Sequence, residues 1–309
     1  MPSATEVGDA GPDAAALGRT VVVTRPSREA PAWVAALARA GFNPVALPLM
    51  AFGPPPQPAT LSACMAGLPG YRALMFVSPQ AVYAFWTEFL KENCLKTQYG
   101  CASVASLFEK SGAQQLRCWA PGPGTARALA EVGVPVQCID QPAPDAGQFD
   151  SEALWAVVQL QVRAGDRVLL VRGDTPGASG RSASSIGSGR DWLASQCVAN
   201  GVSVAHCVAY SRVPPEWDDA QRAQAVSASG ASQVWLFSSS ESVGHLARLL
   251  PGRDWSATCA VATHPRIAEA VRRLGFGRVM ACRPALGDVV CALQREGLHT
   301  GPPKMRTHP

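Results

Sequence analysis

Residues 74–82 read Leu74-Met-Phe-Val-Ser-Pro-Gln-Ala-Val82, and residues 235–243 read Trp235-Leu-Phe-Ser-Ser-Ser-Glu-Ser-Val243. Each is an apolar run followed by Phe-x-Ser-x-x-x-Val and then a helical pattern. A second pair agrees with the first. Val21-Val-Val-Thr-Arg-Pro26 and Val168-Leu-Leu-Val-Arg-Gly173 both end an apolar run in an arginine and a helix breaker. Both continue into a helix bearing a tryptophan, a glycine and another apolar run. A unit written twice in one chain predicts two similar α/β domains, and a cleft between domains is a favoured place for a ligand.

The surrounding sequence fills in the repeat. Short apolar, β-branched runs such as Thr20–Thr24 read as strands buried on both faces of a parallel sheet. Helical spacing follows them, and Gly41, Gly133, Gly201 and Gly275 stand where helices should stop. Strands are also expected at Leu74–Val77, Cys118–Ala120, Val136–Ile139, Val168–Val171, Val234–Phe237, Thr258–Ala262 and Arg278–Cys282. The fold class is therefore α/β, with two doubly wound parallel-sheet (flavodoxin-like) domains. Pro54-Pro-Pro56 with Pro58, and Pro214-Pro215, read as rigid linkers. The extended segments beside them, 45–52 and 203–211, should avoid the middle of a sheet. Pairing them with each other predicts a two-stranded β connector and a discontinuous first domain. Residues 18–48 and 214–297 then form domain 1, and 49–213 form the inserted domain 2 with the connector strands. Residues 1–17 are an unpatterned, disordered arm, and 298–309 a flexible tail. Residues 91–115 and the Gly/Ser-rich 174–190 interrupt the pattern, the first with a short helix near Val104–Glu109.

Composition narrows the function. The 309 residues are 47% hydrophobic and 16% charged, which fits globular domains. There is no run of about 20 apolar residues to span a membrane. The N-terminus lacks the basic start and apolar core of a signal peptide, so a cytoplasmic location is expected. The ten cysteines are scattered without Cys-x-x-Cys and read as buried reduced thiols. Of 27 basic residues only four are lysines, and no basic run or basic-aromatic stripe marks nucleic-acid binding. The arginine excess fits either anion recognition or genomic base composition.

The chemistry should sit where strands end and helices begin. Ligands of open α/β sheets bind at the carboxyl ends of the strands, and helix N-termini favour anions. Thr24, Ser78, Thr125, Ser151, Ser238, Ser239, Ser240 and Thr263 lie at such turns. Each is either a helix N-cap or part of a rim of donors for a ligand with many carboxylates or phosphates. Competing motifs fail. Gly122-Pro-Gly124-Thr-Ala-Arg127 has arginine where a dinucleotide fingerprint needs a third small residue. There is no Walker A sequence, no Gly-x-Ser-x-Gly elbow before a helix, no metal-ligand spacing and no paired-carboxylate site. The five histidines are isolated, and His264, the best placed, reads as structural.

The order of the motifs resembles the uroporphyrinogen-III synthase family over most of residues 20–295. It rests on Thr24-Arg25-Pro26, Phe76-Val-Ser78-x-x-Ala-Val82, Gly124-Thr125-Ala126, Asp150-Ser-Glu152, Val171-Arg172-Gly173, Tyr210-Ser-Arg212, Phe237-Ser-Ser-Ser240 and Thr263-His-Pro-Arg266. The resemblance implies two α/β domains joined by a β-ladder, with the active site in the inter-domain cleft. It implies a lyase that closes the linear tetrapyrrole hydroxymethylbilane, inverts ring D and releases water. The product is uroporphyrinogen III, precursor of haem, sirohaem and cobalamin. No metal or organic cofactor is implied. The substrate's eight carboxylates match a rim of N–H and hydroxyl donors.

Under this resemblance Tyr210 is the candidate acid for hydroxide departure, or else a packing tyrosine of the hinge. Ser78, Thr125, Ser151, Ser238, Ser239 and Thr263 are candidate substrate-binding residues. Arg25 and Arg172 either bind carboxylates or brace their own turns. Ser238-Ser239 departs from the family's frequent Thr-Ser but keeps the hydroxyls. The expected partner is hydroxymethylbilane, received by a monomer through transient hand-over from hydroxymethylbilane synthase, with no nucleic acid and no membrane. The alternatives are a non-catalytic two-domain anion-binding protein and a nucleotide- or sugar-phosphate-dependent transferase.

Overall fold

The computed structural model describes residues 20–96, 103–109, 115–143, 151–176 and 188–295. The expected arm (1–17) and tail (298–309) lie outside the described residues, as do Asp150 and parts of the 91–115 and 174–190 stretches. Contacts divide the chain into two units. One comprises residues up to Ala51 and from Val213 on, the other Phe52–Arg212.

The chain enters the first unit with β1 (Thr20–Val23), α1 (Ala30–Arg39) and β2 (Asn43–Ala46). It passes through β3 (Ala51–Gly53), α2 (Pro58–Ala66), β4 (Ala73–Phe76), α3 (Pro79–Lys96), α4 (Ser106–Glu109), β5 (Arg117–Trp119) and α5 (Pro123–Glu131). There follow β6 (Ile139–Asp140), α6 (Ser151–Val158), β7 (Arg167–Asp174), α7 (Ser188–Ala199) and β8 (Ser203–Val213). It returns for α8 (Asp219–Ser227), β9 (Gln233–Phe237), α9 (Ser240–Leu249), β10 (Cys259–Ala262), α10 (Pro265–Arg273), β11 (Arg278–Ala281) and α11 (Leu286–Arg295).

The first unit is a five-stranded parallel sheet in the order β2-β1-β9-β10-β11. This is the flavodoxin-like order, with a topological switch point between β1 and β9. The second sheet runs β3-β8-β7-β4-β5-β6, and its strands from β8 to β6 are parallel. Taking β7 as the counterpart of β1 and β4 as that of β9, as the sequence repeat does, the two orders coincide strand for strand. The second unit is thus the same sheet entered at its third strand, with β3 added at one edge. Its switch point falls between β7 and β4.

Alternation along the strands explains why both faces of each sheet are covered. In the first unit Val22, Trp235, Phe237, Ala260 and Ala262 pack on Val243, Leu246, Ile267 and Val271 of α9 and α10. Their strand neighbours Val21, Val23, Val234, Leu236 and Val261 pack on Leu37 of α1 and on Val289 and Leu293 of α11. In the second unit Leu74, Phe76, Leu169 and Val171 face α3 and α5, whereas Met75, Val77, Trp119 and Leu170 face α6 and α7. A period of two feeding two cores is what a doubly wound sheet requires. Gly41, Gly133, Gly201 and Gly275 end their helices at φ 85°, 94°, 74° and 102°, a region that costs glycine nothing.

Several expectations are corrected. Residues 45–52 are not one connector strand. β2 ends at Ala46, and Leu47 and Leu49 are wholly buried before β3 starts. β3 does join β8, but β8 is an interior strand of the second sheet, parallel along its length to β7. Pro214-Pro215 ends β8 rather than keeping it at an edge, because only residues within the ladder must donate to it. Pro44, inside β2, does lie on an edge strand. Pro58 is not part of a linker but opens α2, where its missing N–H is free of cost. Val136–Cys138 forms a 3-10 turn, leaving a two-residue β6 where a full strand was expected. Helix α8, which has no counterpart among the expected elements, starts in a capping box. Asp218 accepts from the Gln221 N–H at 2.7 Å, and the Asp218 N–H donates back to the Gln221 side chain at 3.1 Å.

Candidate functional site

Each switch point carries an arginine on one strand and a capping serine on the next. In the first unit Ser239 is the N-cap of α9, its Oγ accepting from the Glu241 N–H at 3.2 Å. We expect Ser239→Ala to lower stability by about 1 kcal/mol, measured by urea unfolding, because α9 loses its cap. Arg25 follows β1 and is 15% exposed. It donates to Glu29 at 2.9 Å and stacks on Trp33 with 4.1 Å to the ring centroid. These contacts brace its own turn, yet its Nε is buried without a hydrogen-bond partner. Arg172, its repeat counterpart, also has a buried, unpartnered Nε. Two repeat-related guanidinium N–H groups therefore lack an acceptor at the carboxyl ends of their sheets, and so does the buried Ser240 Oγ. Buried donors of this kind call for an explanation, and an anionic ligand is one.

The remaining rim residues divide by role. Thr24 Oγ1 donates to the Leu236 carbonyl at 2.7 Å and ties β1 to β9, so its hydroxyl is structural. Ser238 precedes the cap and is half-buried. Thr263 does not cap α10. His264 does, its Nδ1 accepting from the Arg266 N–H at 3.1 Å, which leaves Thr263 buried at the end of β10. Thr125 is not a cap either. Gly122 holds that position without a side-chain bond, and Thr125 lies buried in the first turn of α5. The first turns of α5 and α3 adjoin, since a Cβ on Gly124 would lie 3.8 Å from Pro79 Cγ. Ser151 is the first residue of α6 and is buried.

A cluster of hydroxyl groups and an arginine lies at the second switch point. Ser78 precedes α3, and its Oγ accepts from the Ala81 N–H at 3.2 Å. The same oxygen is 3.5 Å from Tyr210 Oη. Tyr210 is on β8, where the β7–β8 register slips between Arg172 and Gly173. Arg172 is paired with Val208 and Gly173 with Tyr210, so Ala209 is the extra residue of a β-bulge. A bulge re-aims the side chains beyond it, and Ala209, Tyr210 and Ser211 are consecutively buried. The tyrosine ring packs edge-on to Phe52 at 5.2 Å and lies against Gly173. Arg212 donates to Tyr210 Oη at 3.4 Å. The ring is 3% exposed, so it is a packed element as well as a hydroxyl carrier.

Among the described cysteines Cys118, Cys138, Cys197, Cys207 and Cys259 are buried as expected, whereas Cys64 and Cys282 are half-buried and Cys291 is exposed. Among the described residues all cysteines are free, and no group of three or more His, Cys, Asp or Glu side chains could hold a metal. Burial pushes the thiols of Cys118, Cys197 and Cys207 up, that of Cys197 to about 11, which keeps them protonated and inert. His245 is wholly buried with Nδ1 2.7 Å from the Leu49 carbonyl, a structural contact.

The family model described as "Uroporphyrinogen-III synthase HemD" matches residues 31–291. The chain belongs to the uroporphyrinogen-III synthase family. It is 26% identical over 280 residues to the uroporphyrinogen-III synthase of Escherichia coli K12, covering 88% of this chain and 98% of the relative. It is 24% identical over 244 residues to that of Chlorobaculum parvum, covering 79% and 84%. The crystal structure of uroporphyrinogen-III synthetase from Helicobacter pylori 26695 shares its fold, with a TM-score of 0.52 and 15% identity over 91% of this chain and all of that one. Among the described residues no helix is long and apolar enough to cross a membrane.

Gly173 and Arg212, both beside Tyr210, stand in the motifs Val171-Arg172-Gly173 and Tyr210-Ser-Arg212 but are not candidate site residues there. Gly173 is legible only as a helix breaker until β8 is placed beside β7. Arg212 carried a usable signal, since residues i and i+2 of a strand share a face.

Proposed function

We propose that this chain closes hydroxymethylbilane to uroporphyrinogen III, with Tyr210 as the acid that assists hydroxide departure. What supports the assignment most is a hydroxyl held among Ser78, Arg212 and Gly173 at a switch point, in a chain the family model matches from residue 31 to 291. The reaction asks little covalent work of the protein. Loss of the hydroxyl leaves a pyrrole-stabilised cation that is already a strong electrophile. The substituted carbon of ring D attacks it to give a spiro intermediate, which fragments and recloses with the ring inverted. The enzyme must favour that carbon over the unsubstituted one, which is a task of positioning. The candidate residues for carboxylate arms are Arg25, Ser238, Ser239 and Thr263 in the first unit and Ser78, Thr125, Ser151 and Arg172 in the second. Helix N-terminal N–H groups supply much of the contact. The protein works as a cytoplasmic monomer that takes the bilane by transient hand-over from hydroxymethylbilane synthase.

The deciding experiment incubates purified protein with hydroxymethylbilane and separates the oxidised porphyrin isomers. Isomer III in excess, formed faster than the spontaneous reaction, is the expected result. Isomer I at the spontaneous rate would overturn the assignment and leave a non-catalytic anion-binding protein.

A further inference from the structure

Tyr210 Oη has two polar neighbours that can both donate to it. Arg212 reaches it at 3.4 Å, and its guanidinium carbon is 5.5 Å from the ring centroid, so it sits toward the hydroxyl end. An arginine has only donors, so the phenol oxygen must accept from it. Ser78 Oγ already accepts from the Ala81 N–H, which leaves the serine hydroxyl hydrogen able to point at Tyr210. A phenol oxygen that accepts from both keeps its own O–H for a third group. Bulge and strand geometry produce this arrangement. Tyr210 and Arg212 follow the extra residue Ala209 on β8 and share a face by alternation.

We infer that Arg212 is a positioning residue that orients the Tyr210 O–H toward the leaving hydroxyl and holds the charge the tyrosine acquires. In the step, the C–O bond of the bilane breaks and its electron pair stays on oxygen. The Tyr210 proton completes a water molecule. Positive charge passes to the pyrrole-stabilised cation, and negative charge remains on the phenolate oxygen beside the Arg212 guanidinium. The proton shed when the reclosed tetrapyrrole regains its last aromatic pyrrole restores the phenol. Charge-assisted hydrogen bonds strengthen as the acceptor becomes an anion, so Arg212 acts more in the transition state than in the ground state.

This inference rests on Tyr210 being the acid, and a double-mutant cycle separates the two claims. Steady-state kinetics on hydroxymethylbilane are measured for Arg212→Gln, Arg212→Lys, Tyr210→Phe and the Arg212→Gln/Tyr210→Phe pair. Arg212→Gln should lower kcat about tenfold, the scale of one hydrogen bond to a charged group, with KM little changed. Arg212→Lys should recover part of the loss, and Arg212→Gln should add little in the Tyr210→Phe background. A raised KM with unchanged kcat, or the same loss in both backgrounds, would overturn the role of Arg212 while Tyr210 stands. Wild-type turnover in Tyr210→Phe would overturn both.

Discussion

Gly173→Ala is expected to reduce kcat about a hundredfold, the scale of a misplacement of about 1 Å at a reacting group. A Cβ at this position would lie 2.2 Å from Tyr210 Cζ and 2.4 Å from Cε2, well inside contact distance. The ring cannot retreat freely, because Phe52 packs against it and the residue is almost fully buried. Either the tyrosine leaves its place beside Ser78 or β7 and β8 separate where they are paired. Overpacking of this kind also costs about 1–3 kcal/mol of stability. Two measurements check the prediction: turnover of the single variant, and urea unfolding of Gly173→Ala, Tyr210→Ala and the pair. Truncating the buried ring opens a cavity and itself costs stability, so the expected result is that Gly173→Ala costs less in the Tyr210→Ala background than in the wild type, with activity lost in both. A single variant with wild-type kcat and unfolding midpoint would mean that Gly173 has no part in seating Tyr210.

Tyr210→Phe is expected to lower kcat by about one to two orders of magnitude, the lower part of the range for one general acid. The change removes one oxygen and leaves the contacts with Phe52 and Gly173 intact. Stability should therefore fall by only about 1 kcal/mol, the net worth of one hydrogen bond. The contrast between the variants is diagnostic. Gly173→Ala disturbs position and packing together, whereas Tyr210→Phe removes the proton and little else. If Tyr210→Phe turned over at the wild-type rate, the residue would be reduced to packing. A loss of stability larger than the loss of activity would point the same way.

The elements most legible in the sequence were those specified locally. Val21–Val23 and Leu74–Phe76 are apolar on both faces, and the cores they enter are on both faces. Ser78 and Ser239 stand before helices and meet backbone N–H groups, as the serine-before-helix pattern implies. The glycines that end helices have positive φ because a side chain there would strain the backbone. Less legible were the choice between neighbouring candidates and anything set by partners distant in the chain. Pro58 looked like a linker residue because three prolines precede it, yet it opens α2. Thr263 looked like a cap, but the neighbouring His264 offers an acceptor nitrogen to the Arg266 N–H, and one helix end takes one cap. Thr24 looked like a rim donor and turned inward once β9 supplied the Leu236 carbonyl.

By itself the sequence determined the repeat, the alternation of strand and helix, and the family. These depend on periodicity and on motif order, which are properties of neighbours along the chain. Only the tertiary structure decided what surrounds Tyr210. Residue 173 and residue 210 are far apart in sequence, and nothing local says that one must lack a Cβ so that the other can carry a ring there. The single-residue slip of register at Ala209 arises from pairing β8 with β7, and it turns Tyr210 toward Ser78, which belongs to a third strand's end. Pairing register is a long-range choice among near-equal backbone hydrogen bonds, so it could be settled only once the sheet had assembled.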